Sequence, residues 1–492
     1  MQEISSVEIL QRLRSENPWW DDSRSIRDVY LGMKKRAYFN LFFPLIRNRS
    51  VRRAVVLMGP RRVGKTVMIH HAIQALIDDG IPPEAIVYFS VDHPIYTGLS
   101  LEKFLEHYGQ SSGVNYRIDE VFVFYDEIQY LKNWEVHLKS AVDSYPNIKF
   151  VVSGSAAAAL RLKSQESGAG RFTDFLLPPL TFYEYIDLLN KTNLVHTPDV
   201  DNLTGSKYFT TPNIELLNKE FINYLNFGGY PEVIFAPEIQ ADPGRFIKSD
   251  IIDKVLLRDL PSLYGISDIQ ELNHLFTTLA FNTANEISLQ ELAMNSGVAK
   301  NTIKRYIDYL EAAFLIKIVH RVDQSAKKFT RANFFKVYLT NPTMRAALFL
   351  PIKPEDEAMG RLAETAIFSQ WFHSAVPLHY ARWDKGSEKG EVDLVHLGAA
   401  RQNVAWAVEV KWSDRFPERP HELAGAIGFC RKNNLSKIMV TSKTTTSTLQ
   451  EHGVVIEFEP ASLYCYTVGH NLITTKRVRN SELNTDSAES EL

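Results

Sequence analysis

The sequence predicts an α/β protein: a parallel sheet first, then helical segments, then a second α/β block. Three observations carry this. Short apolar runs alternate with amphipathic stretches from Arg53 onward, a glycine-rich loop joins one such run to a helical stretch, and strand–helix alternation resumes after Pro351. A length of 492 residues allows roughly three domains. Hydrophobic residues at 45% and charged residues at 23% exclude collagen, coiled-coil fibre and wholesale disorder. Lys+Arg 55 against Asp+Glu 58 gives a net charge of -3, so any nucleic-acid surface is local rather than global. Cys430 and Cys465 cannot build a disulfide framework or a four-cysteine zinc site, which points to a reducing compartment. The chain starts without a basic segment and apolar core, and no apolar run approaches the roughly 20 residues that cross a bilayer. A cytoplasmic protein without a membrane partner is expected.

The runs Ala54–Met58, Ala85–Val91, Val121–Tyr125 and Phe150–Val152 are rich in Val, Ile and Phe and almost free of charge, as strands buried on both faces should be. Val67–Ile77 and Trp134–Val142 read as the helices between them. The aromatic stretch Tyr38–Phe43 reads as a helix packed on this sheet rather than a site. The expected organisation is a helical segment over 1–50, a core over 51–190, helices over 191–280, a helix-turn-helix segment over 281–345, a second α/β domain over 346–470 and a disordered tail over 471–492. That tail is Ser/Glu/Asp-rich and cannot offset its ordering entropy.

Gly59-Pro60-Arg61-Arg62-Val63-Gly64-Lys65-Thr66 fits G-x-x-x-x-G-K-[ST] between a strand and a helix. Its glycines let the backbone wrap phosphates, and the N–H groups through Val67 at the helix start offer donors and a positive dipole end. Lys65 should reach the β- and γ-phosphates of ATP, and the Thr66 hydroxyl should ligate Mg²⁺. A chance glycine-rich turn is the plainer alternative, and the strand–loop–helix context argues against it. The run Val121–Tyr125 ends in Asp126 and Glu127: Asp126 would hold the Mg²⁺ shell and Glu127 would polarise the attacking water. A solvated strand end is the alternative there. Ser155, closing Ser153-Gly154-Ser155, is a candidate for the γ-phosphate or the water, against a plain turn.

Together with Asp126-Glu127-Ile128-Gln129, Asn133-Trp134, Gly170-Arg171-Phe172, Leu180–Glu184 and Gly228–Glu232, these motifs resemble an AAA-type ATPase. Specifically, the chain is similar over about Arg53 to Phe458 to a prokaryotic family of such ATPases with a nuclease-like C-terminal domain. The resemblance implies a helical lid over 191–280, a homo-oligomer, and an arginine that reads the γ-phosphate of a neighbouring subunit. Arg171 is the candidate, against an ordinary surface arginine.

Gln290–Ala293, the Gly297 turn and Lys300–Tyr306 have helix-turn-helix spacing, with Asn301, Thr302, Lys304 and Arg305 near the start of the second helix. Leu310, Phe314 and Leu315 fit its buried face, and Lys327, Lys328 and Arg331 would lie in a wing. A winged helix used for DNA contact and one used only for interdomain packing both fit.

In Gly390-Glu391-Val392-Asp393-Leu394-Val395 and Ala405–Trp412, charged residues stand at strand centres, which is costly without partners or work. Asp393 and Glu409 would converge as oxygen ligands for Mg²⁺, and Lys411, two residues from Glu409, shares its face. Glu364 on the helical stretch Arg361–Phe372 would complete the cluster. This pattern resembles the PD-(D/E)xK restriction-endonuclease-like core, with Asp393, Glu409 and Lys411 on its motif positions and Glu364 as its helical glutamate. Asn341 departs from the family, which often has an aspartate there. The readings left open are a nucleic-acid-directed ATPase, acting on DNA, with a metal-dependent nuclease, and a signalling or scaffold ATPase whose C-terminal domain only binds. A small-molecule kinase is disfavoured by the carboxylate pair and the long C-terminal extension.

Overall fold

In a computed structural model of the chain, residues 6–21, 24–154, 170–197, 209–328, 333–374, 376–385, 388–398 and 403–474 are described. The chain divides into two units, 1–178 and 179–492.

The first unit is built on five parallel strands: β1 (Ala54–Met58), β2 (Ile86–Ser90), β3 (Val121–Asp126), β4 (Ile148–Gly154) and β5 (Phe172–Leu176). Their order is β2-β3-β4-β1-β5. Every residue of β1, β3 and β4 is buried, which explains why these strands read as continuous apolar runs without alternation. β5 escaped the sequence reading because Thr173 and Asp174 interrupt its apolar pattern. The helix expected over Val67–Ile77 spans Lys65–Asp78, and that over Trp134–Val142 spans Trp134–Ser144.

The N-terminal residues belong to this unit rather than to a separate segment. Asn17 pairs with Tyr88 of edge strand β2 in both directions, Nδ2 donating at 2.9 Å and Oδ1 accepting at 2.7 Å. The indoles of Trp19 and Trp20 both donate to the Ile86 carbonyl. An edge that would otherwise offer free donors and acceptors is thereby occupied. The stretch expected to pack rather than act forms the helix Phe39–Arg47, and its Phe42 ring lies 5.2 Å from Phe175 of β5.

The second unit holds a nine-stranded sheet of order β13-β14-β12-β11-β10-β9-β7-β8-β6. Its strands are β6 (Glu286–Ser288), β7 (Ile316–Val322), β8 (Phe334–Leu339), β9 (Leu378–Lys385), β10 (Glu388–Leu397), β11 (Val404–Glu409), β12 (Lys437–Ser442), β13 (Ser447–Glu451) and β14 (Val454–Pro460). β7 pairs with β9 in parallel, so the segments expected as 281–345 and 346–470 share one sheet. The helices Phe182–Leu188, Ile214–Phe227, Met359–Gln370 and Ala461–Thr474 bury Phe182, Phe221, Tyr224, Leu362, Ile367 and Tyr466 in one core. Residues 179–188 therefore sit in this unit, although the sequence grouped them with the core that ends at 190. The helix Ala461–Thr474 carries regular structure past 470, and the remaining expected tail lies outside the described residues. Among the described residues, no helix is long and apolar enough to cross a membrane.

Candidate functional site

β4 lies between β1 and β3, so the C-terminal tips of all three strands stand side by side. The tip of β1 runs into the loop 59–66. Gly59 is required there: a Cβ on it would sit 2.2 Å from the Leu177 carbonyl oxygen, too close for any side chain. Gly64 at φ 92° and Arg62 at φ 63° complete a turn that only a left-handed backbone makes. Lys65 is buried, and its ammonium donates to the carbonyls of Gly59 at 3.0 Å and Pro60 at 2.7 Å.

The tip of β3 supplies Asp126, a buried carboxylate that accepts three hydroxyls. Thr66 Oγ1 donates at 2.7 Å and Tyr88 Oη at 2.9 Å to Oδ2, and Ser153 Oγ donates to Oδ1. Burial, and then the charge of Glu127, push the Asp126 carboxyl above its ordinary value, while the hydroxyls pull it down. Glu127 follows in a left-handed conformation, φ 56°, rare for a residue with a side chain and typical of strained functional positions. Its backbone N–H donates to Ser153 Oγ at 3.3 Å, and its carboxylate accepts from the Gln129 amide.

Three of these contacts escaped the sequence reading. Tyr88 lies on β2, and Ser153 was passed over for Ser155, which falls outside the described residues. Arg36 is the third: buried, it donates to the Val63 carbonyl at 2.8 Å and to the Pro178 carbonyl at 3.1 Å, bracing the loop from behind. Its place at the end of the basic run Lys34-Lys35-Arg36, just before the aromatic stretch, is the sequence signal it carries.

Mg²⁺ bound with a nucleotide usually takes one or two carboxylates and several phosphate or water oxygens. Thr66 and Asp126, touching at 2.7 Å, fit that demand as oxygen donors. Among the described residues, no three of His, Cys, Asp and Glu are grouped to hold a metal, so neither cluster is an all-protein cage of that kind.

Arg171 is elsewhere. Its carbonyl accepts from Ala54 N, at the start of β1, whereas the phosphate loop follows the end of that strand. A five-residue strand spans roughly 15 Å, so the Arg171 backbone lies at the opposite end of β1 from its own loop. It pairs with Asp143 at 2.8 Å, with both side chains nearly half exposed at 42% and 48%.

In the second unit, Asp393, Glu409, Lys411 and Glu364 are brought to one buried cluster. β10 breaks register against β9 between Val392 and Val395, an irregularity that re-aims Asp393. Asp393 Oδ2 accepts from Val410 N at 2.9 Å and lies 3.9 Å from the Lys411 ammonium, which holds Glu409 Oε1 at 2.5 Å. Glu364 joins through residues the sequence reading missed. Lys336 Nζ contacts Glu364 at 2.8 Å, Glu391 at 2.8 Å and Asp393 at 3.0 Å. Tyr338, two residues along β8 on the same face, donates to Glu364 at 2.6 Å. The only signal was a lysine inside the apolar run Phe334–Leu339.

The charges of this cluster set one another. Burial, then Asp393, raise Glu364 to about 7 against the pull of Lys336 and Tyr338. Burial and Asp393 likewise raise Glu409. Burial would raise Asp393 too, but Lys336 and Lys411 outweigh it and hold that carboxyl below its ordinary value. Both lysines stay charged because their carboxylates overcome burial. Asn341, the family departure, is outside this cluster: buried, it accepts from Thr343 N at 2.8 Å and packs against Gly229, where a Cβ would come within 2.3 Å of its Oδ1.

Residues 51–186 match the family described as AAA domain. The match supports an AAA-type ATPase. Residues 218–356 match a domain of unknown function (DUF8612), and the two matches leave β9–β14 uncovered. An uncharacterized protein of Haemophilus influenzae is 23% identical over 393 residues, 79% of this chain and 88% of its own. An uncharacterized protein of Methanocaldococcus jannaschii is 24% identical over 327 residues, 64% of this chain and 66% of its own. Among solved structures, a Walker-type ATPase of Pyrococcus abyssi aligns over 67% of this chain and 99% of that chain, at 17% identity and a TM-score of 0.38. The replication initiator DnaA bound to AMPPCP and single-stranded DNA aligns over 60% of this chain and 93% of that chain, at 14% identity and a TM-score of 0.28. At that distance neither structure speaks to this chain's partners.

Proposed function

We propose that this AAA-type ATPase hydrolyses Mg²⁺-ATP in its first unit and acts on or with nucleic acid, most simply DNA, through its second, as a cytoplasmic homo-oligomer. The observation that carries the ATPase assignment is the 2.7 Å contact between Thr66 and Asp126, which joins the phosphate loop to the tip of β3. Lys65, held by loop carbonyls, exchanges them for phosphate oxygens when nucleotide binds. Backbone N–H groups from Arg61 to Val67 cradle the phosphates, and Arg36 keeps the loop shaped for them. Mg²⁺ would sit with Thr66 and Asp126 and supply charge neutralisation to the phosphates. Glu127, held by Gln129, orients the attacking water and accepts its proton. Arg171, remote from its own loop, is assigned to a neighbouring subunit's γ-phosphate.

For the second unit, the sequence of helix Ile269–Phe281, β6, helix Leu289–Ser296, helix Lys300–Ala312, β7 and β8 supports a winged helix, with β6 and β7 both antiparallel to β8. Ile303, Tyr306, Ile307 and Leu310 are buried, which leaves Lys300, Asn301, Lys304 and Arg305 on the exposed face where groove contacts are made. Lys327 and Lys328 are exposed beyond β7; Arg331 falls outside the described residues. The meeting of Asp393, Glu409 and Lys411 supports an endonuclease-like domain over 346–470. A second reading, a scaffold ATPase with a binding-only domain, is favoured by one observation: Lys336 already engages three of the cluster's carboxylates.

A panel of single- and double-stranded DNA and RNA, with Mg²⁺ or Mn²⁺ and with or without ATP, separates these readings. Cleavage lost in Asp393→Ala and Lys411→Ala supports the nuclease. Binding without cleavage, weakened in a Lys304→Ala/Arg305→Ala double variant, supports the binding module. Absence of both, in a protein that hydrolyses ATP, removes nucleic acid from the account.

A further inference from the structure

We infer that Lys336 is a resident cation of the second cluster: its ammonium fills the space between Glu364, Glu391 and Asp393, closes it to metal, and leaves one divalent-ion position, on the Glu409 side. This rests on the reading of Asp393 and Glu409 as ion ligands.

Distances come first. Lys336 Nζ stands 2.8, 2.8 and 3.0 Å from oxygens of Glu364, Glu391 and Asp393, donating hydrogen bonds to Glu364 and Asp393 and forming an ion pair with Glu391. Oxygens bind Mg²⁺ at about 2.0–2.1 Å and Ca²⁺ at about 2.3–2.6 Å, so no ion fits among these three while the lysine is present. The lysine is also fixed. Its side chain is 2% exposed, and β8 is paired on both edges, with Lys336 opposite Val319 of β7 and Glu286 of β6. Glu364 Oε1 is held twice, by Lys336 and by Tyr338. Glu364 is thus a positioning residue for Lys336 and not an ion ligand.

Charge comes second. With all four carboxylates ionised, Glu364, Glu391, Asp393 and Glu409 face two ammoniums, Lys336 and Lys411, so at most two negative charges remain, or one if Arg382, 3.7 Å from Glu391, is counted. One divalent cation satisfies that balance and two exceed it. The remaining acceptor is on the Glu409 side: Glu409 Oε2 is buried and has no hydrogen-bond partner among the described residues. A buried carboxylate oxygen without a donor is costly, and a cation relieves it.

Crystals of the full chain soaked in Mn²⁺, read by anomalous scattering, test this in the unmodified protein. The expected map keeps Lys336 on its three carboxylates, with no Mn²⁺ between Glu364 and Asp393. An Mn²⁺ peak there, with Lys336 displaced, overturns the inference. A peak beside Glu409 is a separate observation: its absence, with Lys336 in place, sinks the ion-site reading but leaves Lys336 as the cluster's cation. In solution, Glu364→Gln should leave Mn²⁺ affinity within about twofold of the parent, whereas Glu409→Gln should lower it at least tenfold. A tenfold loss in Glu364→Gln contradicts the positioning role. Lys336→Gln, if it folds, should bind one more Mn²⁺ per chain than the parent, and an unchanged count counts against the inference.

Discussion

The two clusters present the same problem, a carboxylate buried on a strand, at the tip of β3 for Asp126 and inside β10 for Asp393, and answer it differently. Asp126 is satisfied by three neutral hydroxyls, whereas Asp393 is satisfied by a backbone N–H and two ammoniums. Hydroxyls satisfy a carboxylate without cancelling its charge, so Asp126 can still meet an incoming cation with its field undiminished. Ammoniums cancel the charge where they stand. The first arrangement is open to a ligand, and its only lysine rests on carbonyls that phosphate oxygens can replace. The second is largely complete in itself.

The comparison breaks most sharply at Lys336. Removing a charged partner from a buried ion network leaves uncompensated carboxylates and costs about 3–5 kcal/mol. Lys336→Ala should therefore lower the hydrogen-exchange protection of β8 and β10 amides by that amount, with β1 and β4 unaffected. Protection within 1 kcal/mol of the parent, roughly the worth of a neutral hydrogen bond, would mean the cluster is held like the first one.

Next in size is Glu127→Gln, expected to retain ATP binding and lose turnover by about 10²–10⁴-fold, the range for a positioned general base. Hydrolysis at the parental rate would transfer water activation to another residue. Tyr88→Phe removes one of three neutral donors to Asp126 and should cost only about 1 kcal/mol in Mg²⁺-ATP affinity or local stability. A loss as large as that of Lys336→Ala would show that hydroxyls and ammoniums are not different in kind here.

Proton linkage gives a smaller contrast. Glu364 is raised to about 7 by burial and Asp393, so between the unfolded value near 4.5 and about 7 the folded chain holds a proton that the unfolded chain has lost. That contribution makes stability fall as pH rises through this window and level off above it. Glu364→Gln should flatten the decline in β8 and β10 protection between pH 5 and 7.5, and an unchanged slope would reject the assignment. Smallest of all, Arg171→Ala should leave ATPase activity per subunit unchanged in a species shown to be monomeric, and lower it only where subunits associate. A fall in the monomer would contradict a role confined to the neighbour.

Much of the first unit was legible because its determinants are local. A strand buried on both faces reads as an apolar run, and the loop's glycines occupy positions where the backbone permits nothing else. Asp126 and Glu127 were legible as charges at the end of such a run. Tyr88, Ser153 and Arg36 were not, since what joins them to the loop is strand order, a long-range property with no local mark. In the second unit, Asp393, Glu409 and Lys411 were legible from charges set among apolar neighbours. Lys336 carried the same mark within Phe334–Leu339, but its link to Glu364 and Asp393 exists only because β7 joins β9 in one sheet. The separation of 281–345 from 346–470 hid that link.

The cluster around the phosphate loop is the one open to a nucleotide, whereas the second keeps at most a single ion position. Equilibrium titration of the full chain with Mg²⁺-ATP, parent against Lys65→Ala, tests it most directly. The parent should bind one nucleotide per chain and the variant should bind it at least about 100-fold more weakly, from the loss of charge-assisted hydrogen bonds worth about 3 kcal/mol. A folded Lys65→Ala chain that binds Mg²⁺-ATP as tightly as the parent would contradict it.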